Sequence, residues 1–312
     1  MGSVGIIGTG FIGRAWSVCF ARAGHRVSLW DPVPGSAQAA RDFIAHMLPD
    51  LDRFGLLNGS APEDVLGRIH LSSSMAEAVS EVEHVQENAP ERLDLKIDLF
   101  AQLDALAPKT AVIASSTSAL LPSAFTADLA GRNRCIVAHP VNPPHLIPLV
   151  EIVPAPWTDG DTIARTEALM REIGQTPVHV RREIDGFVLN RLQAAVLDEA
   201  FRLVADGYAS AADVDACMRD GLALRWSFMG PFETIDLNAP DGIRDYVARY
   251  QAMYRGMTET MRDSADWSGP VLDTIEAERR RQLPQEDLKK RQIWRDRQLM
   301  ALAAHRRRAS GL

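Results

Sequence analysis

The stretch from Ser3 to Asp31 constrains this chain more than any other. Ser3 to Ile7 is a short apolar run of strand character that leads into Gly8-Thr9-Gly10-Phe11-Ile12-Gly13. An apolar helix with Ala15, Trp16, Val18, Cys19 and Phe20 follows, then a second strand, Arg26 to Trp30, ending at Asp31. Glycines at this spacing between a strand and a helix, with an acid closing the next strand, form a dinucleotide-binding unit. Gly8 permits the tight turn, Gly10 lets a pyrophosphate approach the backbone, and Gly13 lets helix and strand pack closely. The helix N-terminus offers free N–H groups and positive potential to phosphate. Asp31 is placed to accept from ribose hydroxyls, and no Arg follows it at once to receive a 2′-phosphate, which favours NAD over NADP. Chance glycines in a loop would not bring the flanking strands and the acid with them.

The same alternation continues. Gly35 to Leu57 reads as helix, with a break expected at Pro49. Val82 to Gln86 reads as a strand, followed by Glu87-Asn88-Ala89-Pro90-Glu91 and a helix with Leu93, Ile97, Phe100 and Leu103 on one face. Ala111 to Ala114 is a strand running into Ser115-Ser116-Thr117-Ser118, and Arg134 to Ala138 is the next. Leu149 to Val153 and Val178 to Val180 add two more. The pattern predicts an α/β fold, a Rossmann-type doubly wound and mostly parallel sheet over residues 1–184. In such sheets ligands bind beyond the carboxyl ends of the strands, so the Gly8 loop, Ser118 and His139 are expected on one rim.

The segment Ala138-His139-Pro140-Val141-Asn142-Pro143-Pro144, with Glu151 twelve residues after His139, gathers an imidazole, a carboxamide and a carboxylate. Its prolines keep it out of helix and fix its course. Either this is where the chemistry happens, or it is a proline-rich surface turn with an ordinary histidine.

Asp185-Gly186 marks a break, after which residues 185–312 read as an all-α C-terminal domain. Phe187 to Asp206 is a long helical pattern, Ser210 with Asp213 is a capping start, Gly221 and Gly230-Pro231 punctuate further helices, and Ile275 to Arg308 is a charged helical tail. Asn190 stands among apolar neighbours near the start of the long helix. Buried there it needs partners: a cap, an inter-helix bond or a substrate.

A net charge of −7 argues against nucleic-acid binding, since phosphate neutralisation needs basic excess. Arg279-Arg280-Arg281 and Arg306-Arg307-Arg308 read as solvated helix faces. No apolar run reaches the ~20 residues a bilayer requires, and the start of the chain has no signal-peptide pattern. Cys19, Cys135 and Cys217 lie far apart without CxxC spacing, which suggests reduced, buried thiols in a cytoplasm and no metal site.

Taken together, these motifs resemble the 3-hydroxyacyl-CoA dehydrogenase family over almost the whole chain. The matching pieces are the glycine loop, Ser116-Thr117-Ser118, His139 with Asn142, Glu151, Gly186-Phe187-Val188-Leu189-Asn190-Arg191 and Met229-Gly230-Pro231-Phe232-Glu233. Val85-Gln86-Glu87, Cys135 to Pro144, Gly186 to Gln193 and Gln292-Ile293-Trp294-Arg295-Asp296 are most similar to the branch containing L-gulonate 3-dehydrogenase and lambda-crystallin. The resemblance implies that His139 is the base, that Glu151 pairs with it, and that Ser118 and Asn190 bind the reacting oxygen. It implies cofactor contacts at Gly8, Gly10, Phe11, Ile12, Gly13, Asp31, Glu91, Lys96, Ser118 and Asn142, and a homodimer formed through the helical domain.

The chemistry is consistent with these residue types. Oxidising a secondary alcohol needs a base for the hydroxyl proton, and histidine titrates near neutrality. A carboxylate beside it fixes the tautomer and stabilises the imidazolium. The substrate is less constrained. Between Val33 and His84 the only Lys or Arg residues are Arg41, Arg53 and Arg68, few for a CoA thioester. Arg225, in the apolar stretch before Gly230-Pro231, either grips a substrate carboxylate or makes a salt bridge. The expectation is therefore an NAD-dependent L-3-hydroxyacid dehydrogenase, with L-gulonate, 3-hydroxybutyrate and carnitine all open. The alternatives are an L-3-hydroxyacyl-CoA dehydrogenase and a crystallin-like NAD-binding protein without turnover.

Overall fold

The computed structural model describes residues 2–261 and 264–309. They form two compact units, the described residues of Met1–Asn190 with Ile293–Leu312, and Arg191–Gln292.

The first unit is built on an eight-stranded sheet in the order β3-β2-β1-β4-β5-β6-β7-β8. The strands are β1 (Ser3–Ile7), β2 (Arg26–Trp30), β3 (Ile69–Leu71), β4 (His84–Glu87), β5 (Val112–Ser115), β6 (Cys135–Pro140), β7 (Leu149–Pro154) and β8 (Thr176–His179). The helices of this part are α1 (Phe11–Arg22), α2 (Ser36–Arg53), α3 (Pro62–Gly67), α4 (Met75–Val79), α5 (Leu93–Leu106), α6 (Pro122–Thr126) and α7 (Gly160–Glu172). Both faces of the sheet are covered, and strand alternation shows why. Val112, Ala114, Ile136, Ala138, Val150 and Ile152 join one apolar cluster with residues of α1 and α2. Ile113, Cys135, Val137 and Val153 point the other way, into a second cluster with Phe100 and Leu103 of α5. Large side chains such as Phe20 and Phe100 are fully buried, each worth roughly 1.5–3 kcal/mol. This is the α/β arrangement the sequence implies.

Four details differ from expectation. The three-residue edge strand β3 has no pattern long enough to read, and only Ile69 in it is buried. Pro49 lies inside α2 without ending it. It sits on an exposed part of the helix, where water can take the carbonyl its missing N–H leaves free. β7 runs antiparallel to β6, and β8 is parallel to β7, so the last two strands reverse the sheet's direction. Finally, His139 lies within β6, not past its end.

All described elements after Asp185 are helical. They are α8 (Leu189–Ala205), α9 (Ala211–Ala216), a π-helical turn over Cys217–Leu222, α10 (Ala223–Trp226), α11 (Pro231–Leu237), α12 (Ile243–Met257), α13 (Gly269–Gln282) and α14 (Leu288–Ala309). The tail helix, expected within a domain of residues 185–312, belongs from Ile293 onward to the first unit. Met300 and Ala304 are buried, Leu299 and Ala303 pack on the first apolar cluster, and Arg297 pairs with Asp50 at 3.4 Å. In the second unit only Ala211 and Thr234 are buried among the described residues. No described helix is long and apolar enough to cross a membrane.

Candidate active site

The glycine loop joins β1 to α1. Gly8 has φ +88°, and a Cβ there would meet the backbone of Asn88 at 2.9 Å. A Cβ on Gly13 would come within 1.9 Å of the Gly8 carbonyl oxygen. At Gly10 a Cβ would meet nothing within 4 Å, so the space above the loop is open. Gly10 is the N-cap of α1 and no side chain caps it, so the helix's first amides face that space. Asp31 is fixed at the end of β2, where Oδ2 accepts from Thr9 N at 2.8 Å and Thr9 Oγ1 at 2.9 Å, and Oδ1 from Val33 N at 2.9 Å. Phe11 is largely exposed beside the loop and Ile12 half-buried. An uncapped helix start, an open cradle and an anchored acid fit a dinucleotide.

His139 and Glu151 are register partners on β6 and β7. Their side chains share the face of the second apolar cluster, both buried, with Nδ1 of His139 2.8 Å from Oε2 of Glu151. The other carboxylate oxygen accepts from Val188 N at 2.8 Å and Leu189 N at 2.9 Å, at the start of α8. Burial alone would raise the Glu151 carboxyl. The bond from His139 and the amides of Leu189 and Val188 outweigh it and hold the group below the usual carboxylate range. An ionised carboxylate only accepts, so Nδ1 is the donor of this pair, and in the neutral ring Nε2 is then the acceptor. Among the described residues no group hydrogen-bonds Nε2.

The amides reach Glu151 because the chain turns sharply before α8. Gly186 has φ +72° and Phe187 φ +49°. Phe187 is fully buried, and its ring centroid lies 5.6 Å from that of His139. A left-handed conformation at a bulky residue costs about 1–3 kcal/mol, offset here by ring burial and two amide–carboxylate bonds. Nothing in the type of residue 187 signals this.

Ser118 is exposed on the turn after β5. Its backbone carbonyl accepts from Asn190 Nδ2 at 2.8 Å, so that amide nitrogen holds the Ser118 backbone. Glu91 Oε1 accepts from Thr117 Oγ1 at 2.5 Å, Ser118 N at 2.9 Å and Ala119 N at 2.9 Å. Burial would raise the Glu91 carboxyl. The bonds from Thr117 and Ala119, the Lys96 charge and the Ser118 amide bring it below its ordinary value. Lys96, expected at the cofactor, is buried with its ammonium on Glu87 at 2.9 Å and 3.0 Å. Asn142 is exposed just past β6. Arg225 is exposed on α10 in the second unit. Cys19 and Cys135 are buried, which pushes their thiols up to about 11 and about 12, whereas Cys217, expected buried, is exposed.

The family model for the 3-hydroxyacyl-CoA dehydrogenase NAD-binding domain matches residues 3–184, and that for the family's C-terminal domain matches residues 186–270. The chain belongs to the 3-hydroxyacyl-CoA dehydrogenase family, and is an NAD-dependent oxidoreductase of CH–OH groups. Lambda-crystallin of Oryctolagus cuniculus is 45% identical over 309 residues, covering 98% of this chain and 97% of that one. L-carnitine dehydrogenase of a Pseudomonas species is 43% identical over 245 residues, covering 78% of this chain and 75% of that one. The solved structure of 5-formyl-3-hydroxy-2-methylpyridine 4-carboxylic acid 5-dehydrogenase, an NAD+-dependent dismutase, matches with a TM-score of 0.84 at 26% identity. That match covers 100% of this chain and 99% of the other.

Proposed function

We propose that this chain oxidises the 3-hydroxyl of a small L-3-hydroxy acid, of L-gulonate type, to a ketone, with His139 as the base. The observation that carries this is the His139–Glu151 pair, 2.8 Å apart and buried, with Glu151 itself held by two amides. Glu151 keeps the ring proton on Nδ1 and aims Nε2 at the substrate hydroxyl. As Nε2 takes the proton, Glu151 stabilises the imidazolium. Ser118 Oγ and Asn190 bind the alcohol oxygen and then the carbonyl oxygen. The glycine loop at Gly8, Gly10, Phe11, Ile12 and Gly13, with Asp31, holds the cofactor, and Glu91, Lys96, Ser118 and Asn142 complete its surroundings. When bound, NAD supplies the hydride acceptor.

A free acid is favoured over a CoA thioester by the fate of the few cations near the front of the chain. Arg41 Nε donates to the Ile69 carbonyl at 3.1 Å, and Arg68 Nη1 to the Ala21 carbonyl at 2.9 Å. Both keep their charge, but part of each donor set is spent on a backbone carbonyl, which leaves fewer donors for phosphates. Arg225 is the cation we assign to the substrate carboxylate. The carnitine-oxidising relative acts, by its name, on a small 3-hydroxy acid of this kind.

We also infer a homodimer. The helices α8, α12 and α13 have no buried residue, and Leu192, Phe228, Phe232 and Leu237 are exposed. Helices of this length need packing to persist in water, and a second copy supplies it. The buried thiols suit a reducing cytoplasm.

The test is NADH formation with L-gulonate, L-3-hydroxybutyrate, L-carnitine and a 3-hydroxyacyl-CoA in parallel, each with NAD and with NADP. Turnover of a free acid with NAD supports the reading. Preference for the thioester overturns the substrate assignment and leaves the catalytic one standing. NAD binding without turnover of any of them points to a crystallin-like role.

A further inference from the structure

The end of β4 carries three polar residues, Gln86, Glu87 and Asn88, to which the proposed reaction gives no part. Strand alternation sends Gln86 to one face of the sheet and Glu87 to the other. Both reach the turn that follows β5. On the first face Gln86 Nε2 donates to Ser116 Oγ at 2.7 Å, and Ser116 Oγ donates to Asn88 Oδ1 at 2.8 Å. On the second face Glu87 has no exposed side-chain surface, and Lys96 almost none. Glu87 Oε2 accepts from Ser115 Oγ at 2.6 Å, and Oε1 from Ala89 N at 2.5 Å. Ser115 Oγ in turn accepts from Thr117 N at 3.2 Å.

Lys96 stands between two carboxylates. Its ammonium is 2.9 Å from Glu87 and 3.9 Å from Glu91. Glu91 is the group that gathers Thr117, Ser118 and Ala119 on one oxygen. A buried ion pair adds little stability compared with apolar residues of the same size, because desolvation offsets the attraction. This pair must be explained by what it specifies, and what it touches on each side is the Ser118 turn.

We propose that Glu87 is a positioning residue for Ser118: it engages the Lys96 ammonium so that Glu91 stays committed to the Thr117–Ala119 turn, and it anchors that turn's first residue through Ser115. Without the Glu87 charge, Lys96 closes on Glu91 and draws it off the Ser118 and Ala119 amides. Ser118 then loses its fixed place. The proposal rests on Ser118 binding the reacting oxygen, but the position of the turn is measurable without turnover.

Three variants test it: Glu87→Gln, the milder Ser115→Ala, and the double variant Glu87→Gln/Lys96→Met, which removes both buried charges together. Amide hydrogen exchange at Ser118 and Ala119 is read in the cofactor-free protein, with β1 amides as the internal reference, beside Tm, NAD affinity and steady-state rates. In Glu87→Gln, exchange at Ser118 and Ala119 should quicken roughly tenfold or more while β1 is unchanged. Turnover should fall about tenfold or more, and NAD affinity should weaken with it, since Glu91 and Ser118 also belong to the proposed cofactor surroundings. In Ser115→Ala the same changes appear at smaller size. The double variant should recover Tm without recovering turnover, because the Ser115 and Ala89 anchors stay altered. Parental exchange at Ser118 and Ala119 in Glu87→Gln and Ser115→Ala overturns the proposal. So does a double variant with parental turnover, which would make the pair a packing device. If Glu87→Gln does not fold, exchange in the other two decides. If the parent turns over no hydroxy acid, the functional reading fails, and exchange still decides what Glu87 does.

Discussion

His139 and Glu151 face each other directly across the antiparallel pair β6–β7, with Nδ1 and Oε2 2.8 Å apart. In the parallel part of the sheet a neighbour in register is separated by a whole crossover. The reversal at β7 turns a twelve-residue separation into a cross-strand contact on one face. The imidazole and the carboxylate are thus held together by backbone register, with the start of α8 fixing the second carboxylate oxygen.

Replacing His139 by Gln should leave NAD affinity within a few-fold and lower turnover by roughly 10²–10⁴. Steady-state rates beside a fluorescence titration of NADH check this. Near-parental turnover would remove His139 from the mechanism.

Glu151 gives a pH signature. Its carboxyl is held below the ordinary value of 4.5 in the folded state, so it contributes stability that is complete above that value. The contribution is lost as pH falls through the lower folded value. The Tm difference between parent and Glu151→Gln should therefore shrink as pH is taken below 4.5 into more acid solution. A gap that widens over that acid range would contradict the assignment. Turnover of the variant should fall with NAD affinity kept.

The last two glycines of the loop, Gly10 and Gly13, should separate folding from binding. Gly10→Ala meets no protein atom within 4 Å, so Tm should hold while NAD affinity falls about tenfold or more. Gly13→Ala drives a methyl to 1.9 Å from the Gly8 oxygen, so the loop must shift and both quantities should fall. Equal losses of Tm in the two variants would argue against the open cradle.

Arg225→Met should raise KM for a free hydroxy acid by about tenfold or more, from loss of a charge-assisted pair, and leave NAD affinity alone. An unchanged KM would remove Arg225 from the substrate site.

Much of this was legible in the residues. The glycine loop, Asp31 and the alternating apolar runs mark β1, β2, β4, β5 and β6 as strands because each leaves a local, periodic mark. What stayed hidden depends on contacts between distant parts. The direction of β7 is invisible in its composition, since a doubly buried strand reads alike either way. Phe187 adopts positive φ for the sake of Glu151 and His139, which no local pattern announces. The resemblance points to Lys96 as a cofactor contact, but its burial against Glu87 appears only when β4 and α5 are packed together. The tail helix is so charged that its two buried positions, Met300 and Ala304, give no apolar stripe.

That tail helix also fixes an order of events. Its seat on the first apolar cluster is made by residues that precede the helical unit in the chain, while Met300 follows that unit. A ribosome delivers the glycine loop and the sheet early, and domains generally fold as they emerge. Here the first unit has to wait with part of its core uncovered until the whole helical unit has been made and the final helix arrives. The nucleotide-binding half is thus completed only after the helical unit has been made, although nearly all of its residues precede that unit.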